Sequence, residues 1–187
     1  TADSNTCLEL GLEERLNELP DPSLEAFLAR RKQAEQLLEQ ASTLHAQLSD
    51  FDQKLDVELI ALAARQYALD KSLVFNDKLE IEQLPNAGDE ISTGIFYLVT
   101  IDPRPAADRL DNILARLQQV PDYLQRMLAR LDTPVARWVD IDCETIDGLP
   151  DFFASIYSWG KEVSYSSLDA LDEAINQAQD ALKAYQG

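Results

Sequence analysis

Histidine occurs once in this 187-residue chain, at His45, and cysteine twice, at Cys7 and Cys143. A single histidine excludes an H-E-x-x-H zinc site built within these residues. It also leaves Ser-His-Asp or Cys-His catalysis only His45 to work through, with no G-x-S-x-G anywhere. The cysteines show no C-x-x-C spacing and read as two reduced thiols. Glycine is scarce at six residues, and neither G-x-x-x-x-G-K nor G-x-G-x-x-G occurs, so there is no phosphate-cradling loop. Basic residues are outnumbered sixteen to thirty-four, giving a net charge of −18. That field repels phosphates and anionic lipid surfaces, so neither nucleic acid nor membrane is an expected partner. Arg30-Arg31-Lys32 is the only basic cluster, a single helical turn. No apolar run approaches the roughly 18 residues of a membrane span. The opening residues TADSNTC lack the pattern of a signal peptide, and a soluble protein is expected, the cytoplasm favoured over other compartments.

What is abundant is Leu, Ala, Gln and Glu in helical spacing. Pro103–Leu131 organises the chain. Leu110, Leu117, Leu124 and Leu131 stand one heptad apart, with Ile113, Leu114, Val120, Met127 and Leu128 in the intervening slots. Pro121 falls inside this stripe without resetting its phase, which favours one nearly continuous helix. Upstream, Leu8, Leu12, Leu16 and Leu19 suggest a short helix ended by Pro20, and Asp21 with Pro22 marks the start of the next. From Ser23 to about Asp50, Leu24, Phe27, Leu28, Ala34, Leu37, Leu38, Ala41, Leu44 and Leu48 define one apolar face. A further helix to about Asn76 has Leu55, Leu59, Leu62, Ala63, Leu69 and Leu73 on its expected buried side.

Residues 76–94 are looser. LEIEQL at 79–84 alternates like a strand, and IFYLVTI at 95–101 is either its hairpin partner or a buried helical turn. After the stripe, a helix over 134–147 capped by Gly148 is expected. A short aromatic helix, DFFASIYSWG, then closes at Gly160, and a final helix starts near Ser166–Asp169 with Leu168, Leu171, Ile175, Ala178 and Leu182 on its face.

The expected fold is all-α, with roughly six to eight antiparallel helices in one bundle-like domain spanning 1–187. Within it, 1–21 holds a short helix and a proline break, 22–76 two long helices, 77–102 the irregular segment with its possible short hairpin, and 103–187 further helices.

His45 reads as a helix-packing or solvent-edge residue. Asp140, Asp142, Glu144 and Asp147 form a dense acidic stretch. Paired carboxylates serve acid–base chemistry or a hard cation, but a solvated helix face explains them as well. The same charges disfavour a Cys143 thiolate. Trp138, Phe152, Phe153, Tyr157 and Trp159 are core aromatics or an interface patch. No residue is assigned a catalytic, metal-binding or cofactor-binding role, and no cofactor is expected.

Residues 95–153 resemble the amino-terminal half of the bacterial "domain of unknown function 885" family. The likeness rests on Tyr97, Arg116-Leu117, Val120-Pro121, Leu124, Leu131, Thr133-Pro134, Gly148-Leu149 and Phe152-Phe153; helices 23–75 fit in type and order. Members of that family are long, mostly helical proteins regarded as zinc peptidases, with a His-Glu metal motif far downstream that this sequence lacks. The resemblance implies a non-catalytic amino-terminal helical region that packs over an active site elsewhere, its partner an intramolecular domain. The alternative is a free-standing scaffold that forms a homo-oligomer or binds a partner helix through the stripe.

Overall fold

The computed structural model describes residues 4–187, and the fold is all-α. In chain order the elements are α1 (Ser4–Glu9), α2 (Leu24–Gln47), α3 (Phe51–Asp70), β1 (Val74–Phe75), β2 (Lys78–Leu79), a 3-10 turn (Glu80–Glu82), α4 (Ala87–Thr100), α5 (Ala106–Arg130), α6 (Ala136–Glu162) and α7 (Leu168–Gln186). They form two compact units. The first comprises the chain up to Asp21 with Leu84–Ala129 and Pro134–Gly187; the second comprises Pro22–Gln83 and Arg130–Thr133.

The core of the first unit is built on α5. Leu110, Ile113, Leu117, Val120, Leu124 and Met127 step by three and four residues and are buried, joined by Ile91, Ile95 and Leu98 of α4 and Phe153 and Ile156 of α6. Pro121 lies inside α5. Its missing N–H and its ring disfavour a helix interior, but the stripe is buried on both sides of it and the helix continues. Leu128 departs from the expected stripe and is 50% exposed, because it sits one residue, or 100°, beyond the buried Met127.

Three boundaries differ from the sequence expectation. The short first helix ends at Glu9, and Gly11 takes the left-handed conformation with φ 70°. Leu16 and Leu19 reach the core from the following turns, while Leu12 stays exposed. The N-cap of α2 is Ser23 rather than Asp21: its hydroxyl accepts from the Ala26 N–H at 3.2 Å. Finally, the helix expected to stop at Gly148 and the aromatic helix after it are one helix, α6, running through Gly148 and Pro150. Ile146, Leu149, Phe153 and Ile156 are buried at steps of three and four across the supposed break, so packing overrides the local breakers.

The segment expected to be irregular contains a helix. IFYLVTI belongs mostly to α4, where Ala87, Ile91, Ile95 and Leu98 face the core, and of its two readings the helical one holds. The hairpin is smaller and earlier. Val74 pairs with Leu79 and Phe75 with Lys78 around Asn76-Asp77, both at positive φ, the geometry of a tight two-residue turn.

In the second unit α2 and α3 form an antiparallel pair. His45, near the end of α2, contacts Glu58 early in α3, and Lys71 beyond the end of α3 lies over the Phe27 ring near the start of α2. Their buried residues are few and mostly small: Phe27, Ala34 and Ala41 on α2, Val57 and Ala64 on α3. Each set repeats at seven residues. Alanine brings helix axes close, and the leucines are left outside. Leu55, Leu59, Leu62, Leu69 and Leu73, expected on the buried side of α3, are 45–62% exposed. Leu28, Leu37 and Leu44 of α2 are exposed as well.

These exposures separate two kinds of leucine. Leu117→Ala should cost about 2–5 kcal/mol in urea unfolding through the cavity it opens. Leu59→Ala should stay within about 0.5 kcal/mol, as expected of an exposed site. Equal losses at the two positions would contradict this assignment of core and surface.

Candidate functional site

Asp142 is the buried member of the acidic stretch, at 4% exposure. It occupies a core slot of α6, four residues before Ile146. One carboxylate oxygen accepts from the Gly88 N–H at 2.8 Å and the other from the Tyr185 hydroxyl at 3.0 Å. Gly88 lies in the first turn of α4, whose N-cap Asn86 makes no side-chain cap bond. A carboxylate from α6 therefore satisfies an orphan N–H of α4 and complements its dipole. Gly88 makes the approach possible: a Cβ there would lie 3.0 Å from Thr145 Cβ.

The other acids of the stretch point elsewhere. Asp147 accepts from Gln186 at 3.0 Å, Glu144 lies 3.5 Å from Arg137, and Asp140 is exposed. The structure does not gather the four carboxylates around a common centre. Among the described residues, no three His, Cys, Asp or Glu side chains are grouped as a metal ion would require.

Arg116, read in the sequence only as part of a family pattern, is wholly buried. Its Nε donates to the Leu16 carbonyl at 2.8 Å and its Nη1 to Asn5 Oδ1 at 3.2 Å and to the Gly94 carbonyl. Gln119, less than one turn later, accepts from the Leu19 N–H at 3.1 Å and donates to the Asn17 carbonyl at 2.7 Å. Two polar side chains of α5 thus hold the turns after α1.

At the α4–α5 corner, Asp102 has no side-chain exposure and accepts from Arg104 through Nε at 3.0 Å and Nη2 at 2.6 Å. Burial pushes its carboxyl up, but hydrogen bonds from the Arg104 side chain and backbone, with the charges of Arg104 and Arg109, hold it below its usual value. Arg109 donates to the Val99 carbonyl at 3.0 Å, and its guanidinium stands 4.6 Å from the Trp159 ring centre. Tyr165 donates to Asp111 at 2.6 Å. Burial, the hydrogen bond to Asp111 and that residue's charge push the phenol up to about 12.

The remaining candidates are accounted for by packing. His45 is part-exposed at the α2–α3 edge, 2.9 Å from Glu58. Phe153 is in the core, and Phe152, Tyr157 and Trp159 pack against it. Trp138 is half-buried. Cys7 is buried and Cys143 half-buried, and among the described residues they form no disulfide. The sequence offered one overlooked signal: the series 142, 146, 149, 153, 156 places an acid in a core slot, as expected of a carboxylate committed to a buried partner. Arg116 gave a weaker one, standing between Ile113 and Leu117.

The polar groups of this site join helices of one unit to one another in an all-α fold. The chain belongs to the family described as bacterial protein of unknown function (DUF885), whose sequence model matches residues 6–187. No curated protein and no solved structure matches it. No helix among the described residues is long and apolar enough to cross a membrane.

Two measurements test the polar framework. Asp142→Ala should cost about 1–3 kcal/mol by leaving buried donors without an acceptor. Tyr185→Phe should cost less in that background than in the wild type, since the two share one bond. Alkaline titration should show one tyrosine ionising near pH 12, lost in Tyr165→Phe. Because its folded value lies above the ordinary 10.0, the unfolded chain releases this proton first. Tyr165 should therefore contribute a loss of stability as pH rises from about 10 to about 12, absent in the variant.

Proposed function

We propose that this chain is a non-catalytic helical domain, similar to the amino-terminal part of a metallopeptidase, that acts by packing against another domain or polypeptide. The family match over residues 6–187 supports the kinship. The observation that carries the reading is the surface of α2 and α3. Five residues of the pair are buried, while Leu28, Leu37, Leu44, Phe51, Leu55, Leu59, Ile60, Leu62 and Leu69 are each at least 42% exposed. An apolar surface on this scale marks a contact with another protein surface. The stripe of α5 is already spent on the core of its own unit, so a partner would use α2 and α3. The buried charges are likewise engaged: Asp142, Asp102 and Arg116 are each bonded to groups of the chain itself. The partner is a protein, and neither nucleic acid nor membrane is proposed.

Hydrogen exchange on the polypeptide produced from the native gene, beside the 187-residue chain, tests this reading. Expected is a polypeptide larger than 21.0 kDa in which α2 and α3 amides exchange more slowly than in the monomeric shorter chain. A native polypeptide of 21.0 kDa that cleaves peptides by itself would overturn it.

A further inference from the structure

The exposed leucines of α3 are not scattered. Leu55, Leu59, Leu62, Gln66 and Leu69 follow one another at steps of four, three, four and three residues, the spacing of a coiled-coil seam. They lie on the side of α3 away from Val57 and Ala64, which close the α2–α3 contact. The four leucines are 45–62% exposed and Gln66 is exposed too. This helix therefore carries two heptad stripes: one of small residues, used within the chain, and one of leucines that the chain leaves uncovered.

We propose that the leucine stripe is where two copies of this chain associate, α3 lying parallel to α3. The inference rests on the reading that α2 and α3 pack against a polypeptide, and it names that polypeptide. The steps place Leu55, Leu62 and Leu69 at d positions and Leu59 and Gln66 at a positions. Glu58 and Arg65 then fall at g, and Asp56, Ala63 and Asp70 at e. In a parallel pair each g residue meets the e residue five places later on the other helix. Arg65 thus meets Asp70 of the partner subunit, twice by symmetry, and Glu58 meets the partner's Ala63 without conflict.

An antiparallel pair brings g against g and e against e. In the register that sets Leu62 against the partner's Gln66, Arg65 opposes Arg65 of the partner subunit and Asp56 opposes the partner's Asp70, both like-charge contacts. In the register that sets Leu59 against the partner's Leu62, Gln66 faces the partner's Leu55 and its amide has no polar partner in the seam. Arg65 and Asp70 form no ion pair within the chain among the described residues. Gln66 adds register. A lone polar residue at an a position is best satisfied by its own equivalent across a parallel, in-step pair, where the two amides hydrogen-bond. The net charge of −18 opposes association, but charges away from the seam are screened over about 8 Å at physiological ionic strength.

Sedimentation equilibrium of the full chain over a micromolar to millimolar series tests this. Expected is a rise from 21.0 kDa toward twice that mass. Leu62→Asp, at a 58%-exposed position, should keep its helical circular dichroism and remain monomeric. Arg65→Asp should weaken association by about tenfold through its like-charge contact with the partner's Asp70, and adding Asp70→Arg should restore it. Restoration is diagnostic, because in either antiparallel register the double change leaves the aspartate at position 65 facing a like charge, its own equivalent or the partner's Glu58. A monomer throughout the series, a dimer indifferent to Leu62→Asp, or no rescue by the charge exchange would each overturn the proposal. A monomer would leave the domain reading to the exchange experiment, so the two can fail separately.

Discussion

Arg116 is the constraint around which the first unit closes. A guanidinium with no solvent exposure depends on protein groups for its hydrogen bonds, because an uncompensated buried charge costs several kcal/mol. Its donors go to the Leu16 and Gly94 carbonyls and to the Asn5 side chain. Those acceptors come from α1, the turns after it and the middle of α4, segments that are far apart in the chain. A Cβ at position 94 would stand 3.2 Å from the guanidinium, so the glycine and the arginine fit as a pair. The apolar residues around them supply most of the burial energy, but apolar contacts are not directional. The buried arginine sets which carbonyl faces which helix.

Asp142 plays the complementary part with the opposite charge. α6 gives up one core slot to an acid, and that acid closes the first turn of α4 and holds the Tyr185 hydroxyl near the end of α7. Helices meet where one has an unsatisfied backbone group and another carries the side chain to satisfy it. Asp102 and Arg109 repeat the pattern at the α4–α5 corner, where Arg109 takes the carbonyl of Val99 near the end of α4. In an acidic protein such groups are easily mistaken for chemistry. Their hydrogen bonds run to the backbone or to a neighbouring side chain of their own unit, and so they tie its helices together.

Much of this was legible in the sequence, and unevenly so. α5 and α7 read correctly as helices because their apolar residues keep one phase over many turns, through Pro121 in the case of α5. α4 was ambiguous because two glycines and several β-branched residues lower its helix propensity, while the burial that overrides propensity comes from distant segments. The break expected at Gly148 failed for a related reason: a glycine and a proline are local signals, and Ile146, Leu149, Phe153 and Ile156 supply a longer-range one. Asp142 could have been recognised by its place in that same series. The Leu16 and Gly94 acceptors of Arg116 could not, because backbone carbonyls leave no mark on the side-chain sequence.

The most instructive difference lies in α3. Apolar periodicity identifies a helix that buries something, but it does not say which stripe is buried when there are two. Hydrophobicity alone ranks the leucines of α3 above Val57 and Ala64, and the structure places Val57 and Ala64 inside while Ala63 stays exposed. The physical reason is distance. Alanines recurring every seven residues let two backbones approach closely, and a close antiparallel pair leaves no room for leucine between its axes. Leucines on the outer face then have no partner within the pair. Their heptad spacing, the single glutamine among them and the charges at their rim are the properties of a surface that meets another helix. The same sequence feature that led to misplacing the interior of α3 is thus what supports the contact proposed for its exterior.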